Sequence, residues 1–325
     1  MGMPPQTTPS ELSSNGTAGI EDRITKVFVS REGIRPGWRW LIFVAIFFIV
    51  MTIAAIPILV VYMRQNPGPI PKTLPFTAPY MLAEEAATVI GLIVAALLMS
   101  KIESRPLGQY GLPLRDAFGR RFWEGVIWGF VAITSVLVLI AALHGFSFGK
   151  IALSGSALVN YAVLWGLTFL LTGFGEEFLF RGYSQFTLTQ GIGFWPAAIL
   201  LSLLFGAGHL SNIGEGWVGA LSAATIGFFF CFTLRRTGTI WFAVGLHAAW
   251  DYAETFIFGV PNSGLVAPGR LLNSTSHGPR WLTGGTVGPE ASVVCFAVMG
   301  LLFVIFHFVY PAVPLTPTAD HNLRE

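Results

Sequence analysis

The stretch Gly173-Phe174-Gly175-Glu176-Glu177-Phe178-Leu179-Phe180-Arg181 sets two acids and a base inside a long apolar run. Residues 161–171 before it are almost wholly apolar, and aromatic residues continue after it. An ionisable group at membrane depth is costly, so the default interpretation is a functional site whose partners come from elsewhere in the chain. Two histidines that also lie in apolar runs, His209 and His247, are the candidates.

Working outward, the apolar residues fall in blocks of roughly 20, the length a helix needs to cross a bilayer. Eight blocks are expected as spans: 38–62, 77–100, 122–143, 158–184, 194–209, 217–234, 240–258 and 291–310. Pro57 in the first and Pro196 near the start of the fifth would kink or start a helix. The expected fold is all-α, a polytopic transmembrane helix bundle of about eight spans. Bulk composition agrees: 11% of the residues are charged and mean hydropathy is +0.65, against about 25% charged in soluble domains. A net charge of +2 gives no reason to expect a nucleic-acid partner. Cys231 and Cys295 both lie in apolar spans without Cys-x-x-Cys spacing, which argues against a disulfide framework or a thiolate zinc site.

The chain divides into a Ser/Thr/Pro/Gly-rich cytoplasmic disordered tail (1–36), N-terminal transmembrane helices without a motif (37–154), a core that carries the polar residues (155–258), an extracytoplasmic loop (259–289), and a last transmembrane helix with a cytoplasmic tail (290–325). The loop is rich in Gly, Pro, Ser and Asn, and it reads as a linker rather than a lid. The first apolar run is too long for a cleaved leader and reads as a signal anchor. With the N-terminus inside, fourteen of the 19 Lys and Arg residues fall on the inner side. That puts both termini in the cytoplasm, in a multi-pass protein of a plasma membrane.

Glu176 and Glu177 point about 100° apart on a helix. Glu177 and Arg181 are spaced i,i+4 and can pair, which leaves Glu176 free to meet another group. A carboxylate in a low-dielectric site can serve as a general base. The alternative is that both acids only neutralise Arg181. In Phe205-Gly206-Ala207-Gly208-His209, small residues at 206–208 would let a neighbouring helix approach. His247 and Asp251 share one face at i,i+4, as a structural His–Asp pair or a reactive one. Three spans each supply polar groups to an apolar bundle, and one shared site satisfies them at least cost. At 1.5 Å per residue, His247 and Asp251 lie roughly 10 and 17 Å into the seventh span, and His209 roughly 22 Å into the fifth. Glu176 meets them only if the fourth helix continues past Arg181. Glu84 and Glu85 form a second acidic pair outside the candidate set, lining an aqueous entrance or pairing with an arginine. His144, His277, His307 and His321 read as interfacial.

In this order and in separate spans, Glu-Glu-x-x-x-Arg at 176–181, Phe-x-x-x-His at 205–209 and His-x-x-x-Asp at 247–251 resemble the CAAX prenyl endopeptidase and bacteriocin-processing (CPBP) family of intramembrane proteases. The resemblance covers roughly residues 155–255. It implies that Glu176 activates water together with His209, that His247 and the residue at 251 stabilise the oxyanion, and that Glu177 and Arg181 support the site. The family often has Asn at the place of Asp251; an Asp would donate when protonated, or would orient His247. Some members are described as metalloproteases, so a zinc site of Glu176, His209 and His247 stands as an alternative to a metal-free glutamate mechanism, although no His-Glu-x-x-His motif is present.

The expected activity is cleavage of a membrane-associated protein or peptide, prenylated or not, within the bilayer or near its cytoplasmic side. A bacterial host would fit a substrate other than a prenylated one. Two rivals remain: a non-proteolytic immunity or scaffold protein of the same fold, and an ion-coupled transporter. The absence of an internal repeat weighs against the transporter.

Overall fold

The computed structural model describes residues 27–30, 33–69 and 74–311. Most of the expected N-terminal tail, most of the C-terminal tail and His321 lie outside the described residues.

Among the described residues, eight helical segments, not all of them with the length of a membrane span, overlap the eight apolar blocks. They are α1 (Pro36–Gln65), α2 (Ala78–Glu103), α3 (Arg120–Ala142), α4 (Gly155–Glu177) continuing into α5 (Gln185–Ile192), α6 (Phe194–His209), α7 (Trp217–Thr237), α8 (Trp241–Tyr252) with its extension, and α10 (Val293–Val309), after a one-turn α9 (Arg280–Thr283). Among the described residues five helices are long and apolar enough to cross a membrane, counting residues 155–192 as one, while α6 and α10 are shorter apolar helices. α1 continues past Pro57 without a break, and Pro196 falls in the first turn of α6, where its missing N–H costs nothing. Large apolar side chains such as Phe48, Ile53, Ile127 and Leu203 stay exposed on the outer faces, as a lipid-facing surface requires.

α8 is the centre of the bundle. Residues Trp241 to Ala248 are all buried, the pattern of a helix apolar on every side. Glycines allow this depth. A Cβ at Gly125 of α3 would lie 2.9 Å from the Leu246 nitrogen, and one at Gly245 would lie 3.0 Å from the Val126 nitrogen. On the opposite flank, a Cβ at Gly173 of α4 would lie 3.0 Å from the Ala248 nitrogen. Backbones this close leave no room for a side chain. Gly206 of α6 likewise packs on α7, 3.0 Å from the Ala224 nitrogen, whereas Gly208 meets nothing within 4 Å. The small-residue interface predicted at 206–208 is therefore carried by Gly206.

Two helices widen where the sequence places its polar residues. After Glu177 the chain continues as a π-helix, Phe178–Ser184, with a kink at Gly182, and then as α5. After Tyr252, one residue beyond Asp251, it continues as a second π-helix, Ala253–Phe258. Wide turns of this kind occur mostly as single insertions, frequently at functional sites. The fourth span thus runs eight residues further than the expected 184, which meets the condition for Glu176 to reach the other helices.

The segment after α8 does more than link two helices. Strand β4 (Thr275–Ser276) pairs antiparallel with β3 (Phe146–Ser147), and β1 (Val29–Ser30) pairs with β2 (Gly33–Ile34) near the start of α1. Ser263 takes the left-handed φ of 45°, rare for a residue with a side chain. Both its backbone N–H and its hydroxyl donate to Glu290 Oε2, at 2.7 and 2.9 Å, which holds that conformation in place.

Candidate active site

Each acid of the Glu176-Glu177 pair has its own surroundings. Glu177 is fully buried, and its Oε1 accepts from Arg181 Nη1 at 3.1 Å, one turn further on. Arg181, equally buried, has no hydrogen-bond partner for Nε and Nη2. Its guanidinium instead lies over the rings of Phe205 at 4.5 Å and Phe230 at 5.2 Å, contacts that partly offset burial of the charge. Glu176 points another way, as the 100° step requires, with its side chain 31% exposed into a cavity of about 190 Å³.

His247 joins the two acids. Its Nδ1 lies 2.9 Å from Glu177 Oε1 and its Nε2 lies 3.6 Å from Glu176 Oε2 and 3.4 Å from Asp251 Oδ2. A carboxylate only accepts, so Nδ1 donates to Glu177. The ring is stacked on Phe230, 5.4 Å between centroids. His209 ends α6, and its Nδ1 donates to the carbonyl oxygen of Phe205 at 2.8 Å, which fixes the tautomer and turns Nε2 into an acceptor. Glu176, His209, His247 and Asp251 all line the one cavity. Four candidates from three helices converge, and Glu177 and Arg181 stand behind them.

Two further carboxylates line the cavity. Glu85 of α2 lies within electrostatic reach of Glu176 and Asp251. The sequence left it as an unassigned acid, and no motif links it to a residue ninety positions away. Glu290 lines it as well, together with Asn262 and Ser263, so the loop expected to be a plain linker forms part of the wall. Asn212 ties this wall to the end of α6 by donating to the Ser263 carbonyl at 3.1 Å. Burial, with Asp251 adding like charge, pushes the Glu290 carboxyl up to about 7. His277 and His307 bind loop hydroxyls and Arg236 respectively, apart from the site.

Among the described residues no three His, Cys, Asp or Glu side chains are arranged to hold a metal ion. In the candidate zinc set Glu176, His209 and His247, Nδ1 of His247 is held by Glu177 and its Nε2 faces Glu176 at 3.6 Å. No step below runs through a metal ion.

The fold and this cluster define a class: a helical membrane protein with an acid–imidazole site set within its bundle. Residues 158–253 match the family model described as Rce1-like, type II CAAX prenyl endopeptidase Rce1-like. The matched segment holds the four candidates with Glu177 and Arg181, and the match supports the CPBP/CAAX-protease family that the motifs resemble. The family supports a CAAX-type intramembrane protease, with a membrane setting and a protein substrate. No curated protein matches the chain.

Proposed function

We propose that the protein is an intramembrane endopeptidase that hydrolyses a peptide bond with water activated by Glu176. The observation that carries this is the shared cavity: a carboxylate, an imidazole with its acceptor nitrogen free, and a second imidazole braced by acids. Glu176 takes a proton from a water molecule whose other hydrogen is accepted by His209 Nε2. The hydroxide adds to the peptide carbonyl, and Glu176 passes its proton to the leaving amine as the tetrahedral intermediate collapses. His247 stabilises the oxyanion from Nε2; in that role both its nitrogens carry protons, and carboxylates stand on both sides to balance the charge. Asp251, 3.4 Å from that nitrogen, serves to orient the ring rather than to donate.

The loop residues on the cavity wall belong to the segments that the Lys/Arg distribution assigns outside. In that orientation the active site opens toward the extracytoplasmic face, not the cytoplasmic one. The test uses the purified full-length protein in detergent with a panel of prenylated and unprenylated peptides. Cleavage should fall by about 10²–10⁴-fold in Glu176→Gln. Equal rates in variant and wild type would end the proposal.

A further inference from the structure

The charge of the cavity says more about the substrate than its shape does. Its lining includes Glu85, Glu176, Asp251 and Glu290, and neither Lys nor Arg. Among the described residues none of these four carboxylates pairs with an arginine or lysine. Asp251 is only 7% exposed and makes no hydrogen bond beyond its 3.4 Å approach to His247. Glu176 Oε2 is buried without a hydrogen-bond partner. Buried polar atoms are normally satisfied, so such a group in a cavity is set for a donor that arrives from outside. Glu85 on α2 and Glu290 just before α10 both line the cavity that holds Glu176. A free C-terminal carboxylate close to the scissile bond would meet like charge here, and the charge of the His247 imidazolium is already balanced by Glu177 and Asp251.

We infer that the cavity takes a peptide segment bearing a lysine or arginine side chain next to the scissile bond, met by Glu85 and Glu290 of the lining. This rests on the proteolytic function proposed above and names its substrate class. Glu85 and Glu290 are then specificity residues: they touch the substrate's side chain, not the reacting carbonyl.

The test compares fluorogenic peptides that differ at one position (Arg, norleucine or Glu), with the full-length protein in nanodiscs. The expected result is kcat/KM at least about tenfold higher for Arg than for norleucine, and lowest for Glu, a difference of one ion pair's worth. Glu85→Gln and Glu290→Gln should shrink that ratio, mainly through KM, and Glu290→Lys should reverse it toward the Glu peptide. Equal cleavage of all three peptides by the wild type would overturn the inference while leaving proteolysis standing. If no peptide is cleaved, binding of the same peptides to the wild type, read by fluorescence anisotropy, still decides. Tighter binding of the Arg peptide, lost in Glu85→Gln, supports the charged cavity without the protease; equal binding overturns it.

Discussion

The two ends of this bundle treat acidic residues in opposite ways. At the end that the Lys/Arg distribution assigns to the cytoplasm, every described acid has an arginine. Arg39 meets Glu103 at 2.7 Å, and Tyr183 donates to the same carboxylate. Arg120 and Arg121 both pair with Glu124, which also accepts from the Tyr310 hydroxyl at 3.0 Å. At the other end, Glu85, Glu176, Glu215, Asp251, Glu254 and Glu290 have no Lys or Arg partner among the described residues. Paired acids fasten helices together. Acids left unpaired next to a cavity are a lasting cost to stability, and a protein keeps them where chemistry or binding uses the charge. Glu177 marks the boundary, lying one residue from the proposed base yet neutralised by Arg181.

That contrast can be broken most directly at the paired Glu124 and the unpaired Glu176. Glu176→Gln should cut peptide cleavage by about 10²–10⁴-fold, with little change in the thermal midpoint, while Glu124→Gln leaves turnover within about twofold. A turnover loss in both variants would erase the distinction. The boundary residue comes next. Glu177→Ala strands a buried guanidinium and should cost about 3–5 kcal/mol, measured as thermal unfolding in detergent. Glu177→Leu with Arg181→Met should regain part of that loss, because no unpaired guanidinium remains, while the His247 Nδ1–H that Glu177 accepts is left without its acceptor.

A smaller effect follows pH. Glu290 faces Asp251, Glu254, His209 and Cys295, and it holds its proton up to about 7. Because the folded state binds this proton more tightly than the unfolded chain, its contribution to stability is present at low pH and is lost as the pH rises through about 7. Affinity for an arginine-bearing peptide should rise several-fold over the same interval, and Glu290→Gln should flatten that profile. The smallest change is expected at the paired end. Arg120 is 85% exposed and Glu124 keeps Arg121, so Arg120→Ala should cost under about 1 kcal/mol, less still at high salt.

Much of this was legible in the residues. Run length and hydropathy located the helices, with the bounds of α6 met at both ends, while five of the eight expected spans have the length and hydropathy to cross a membrane among the described residues. The i,i+4 rule paired Glu177 with Arg181, and the cost of lone ionisable groups in hydrocarbon predicted that Glu176, His209, His247 and Asp251 would converge. The π turns after Glu177 and Asp251 were not legible, because a one-residue widening carries no residue signature and is set by neighbouring helices. Glu85 was passed over because its partners lie on other helices and no spacing rule connects them. The turn-forming composition of residues 259–289 showed that the chain bends, but not that Ser263 and Glu290 would lock together against the cavity.

The glycines that let α8 sink between α3 and α4 have one more consequence. His247 sits two residues from Gly245 on the same rigid rod, and the Gly125 and Gly173 contacts clamp that rod from either flank. A single methyl group added at Gly125, which touches no reacting atom, would act as a shim and shift the imidazole against acids it meets at 2.9 to 3.6 Å. Here the tolerance of the machining and the alignment of the catalyst are one and the same quantity.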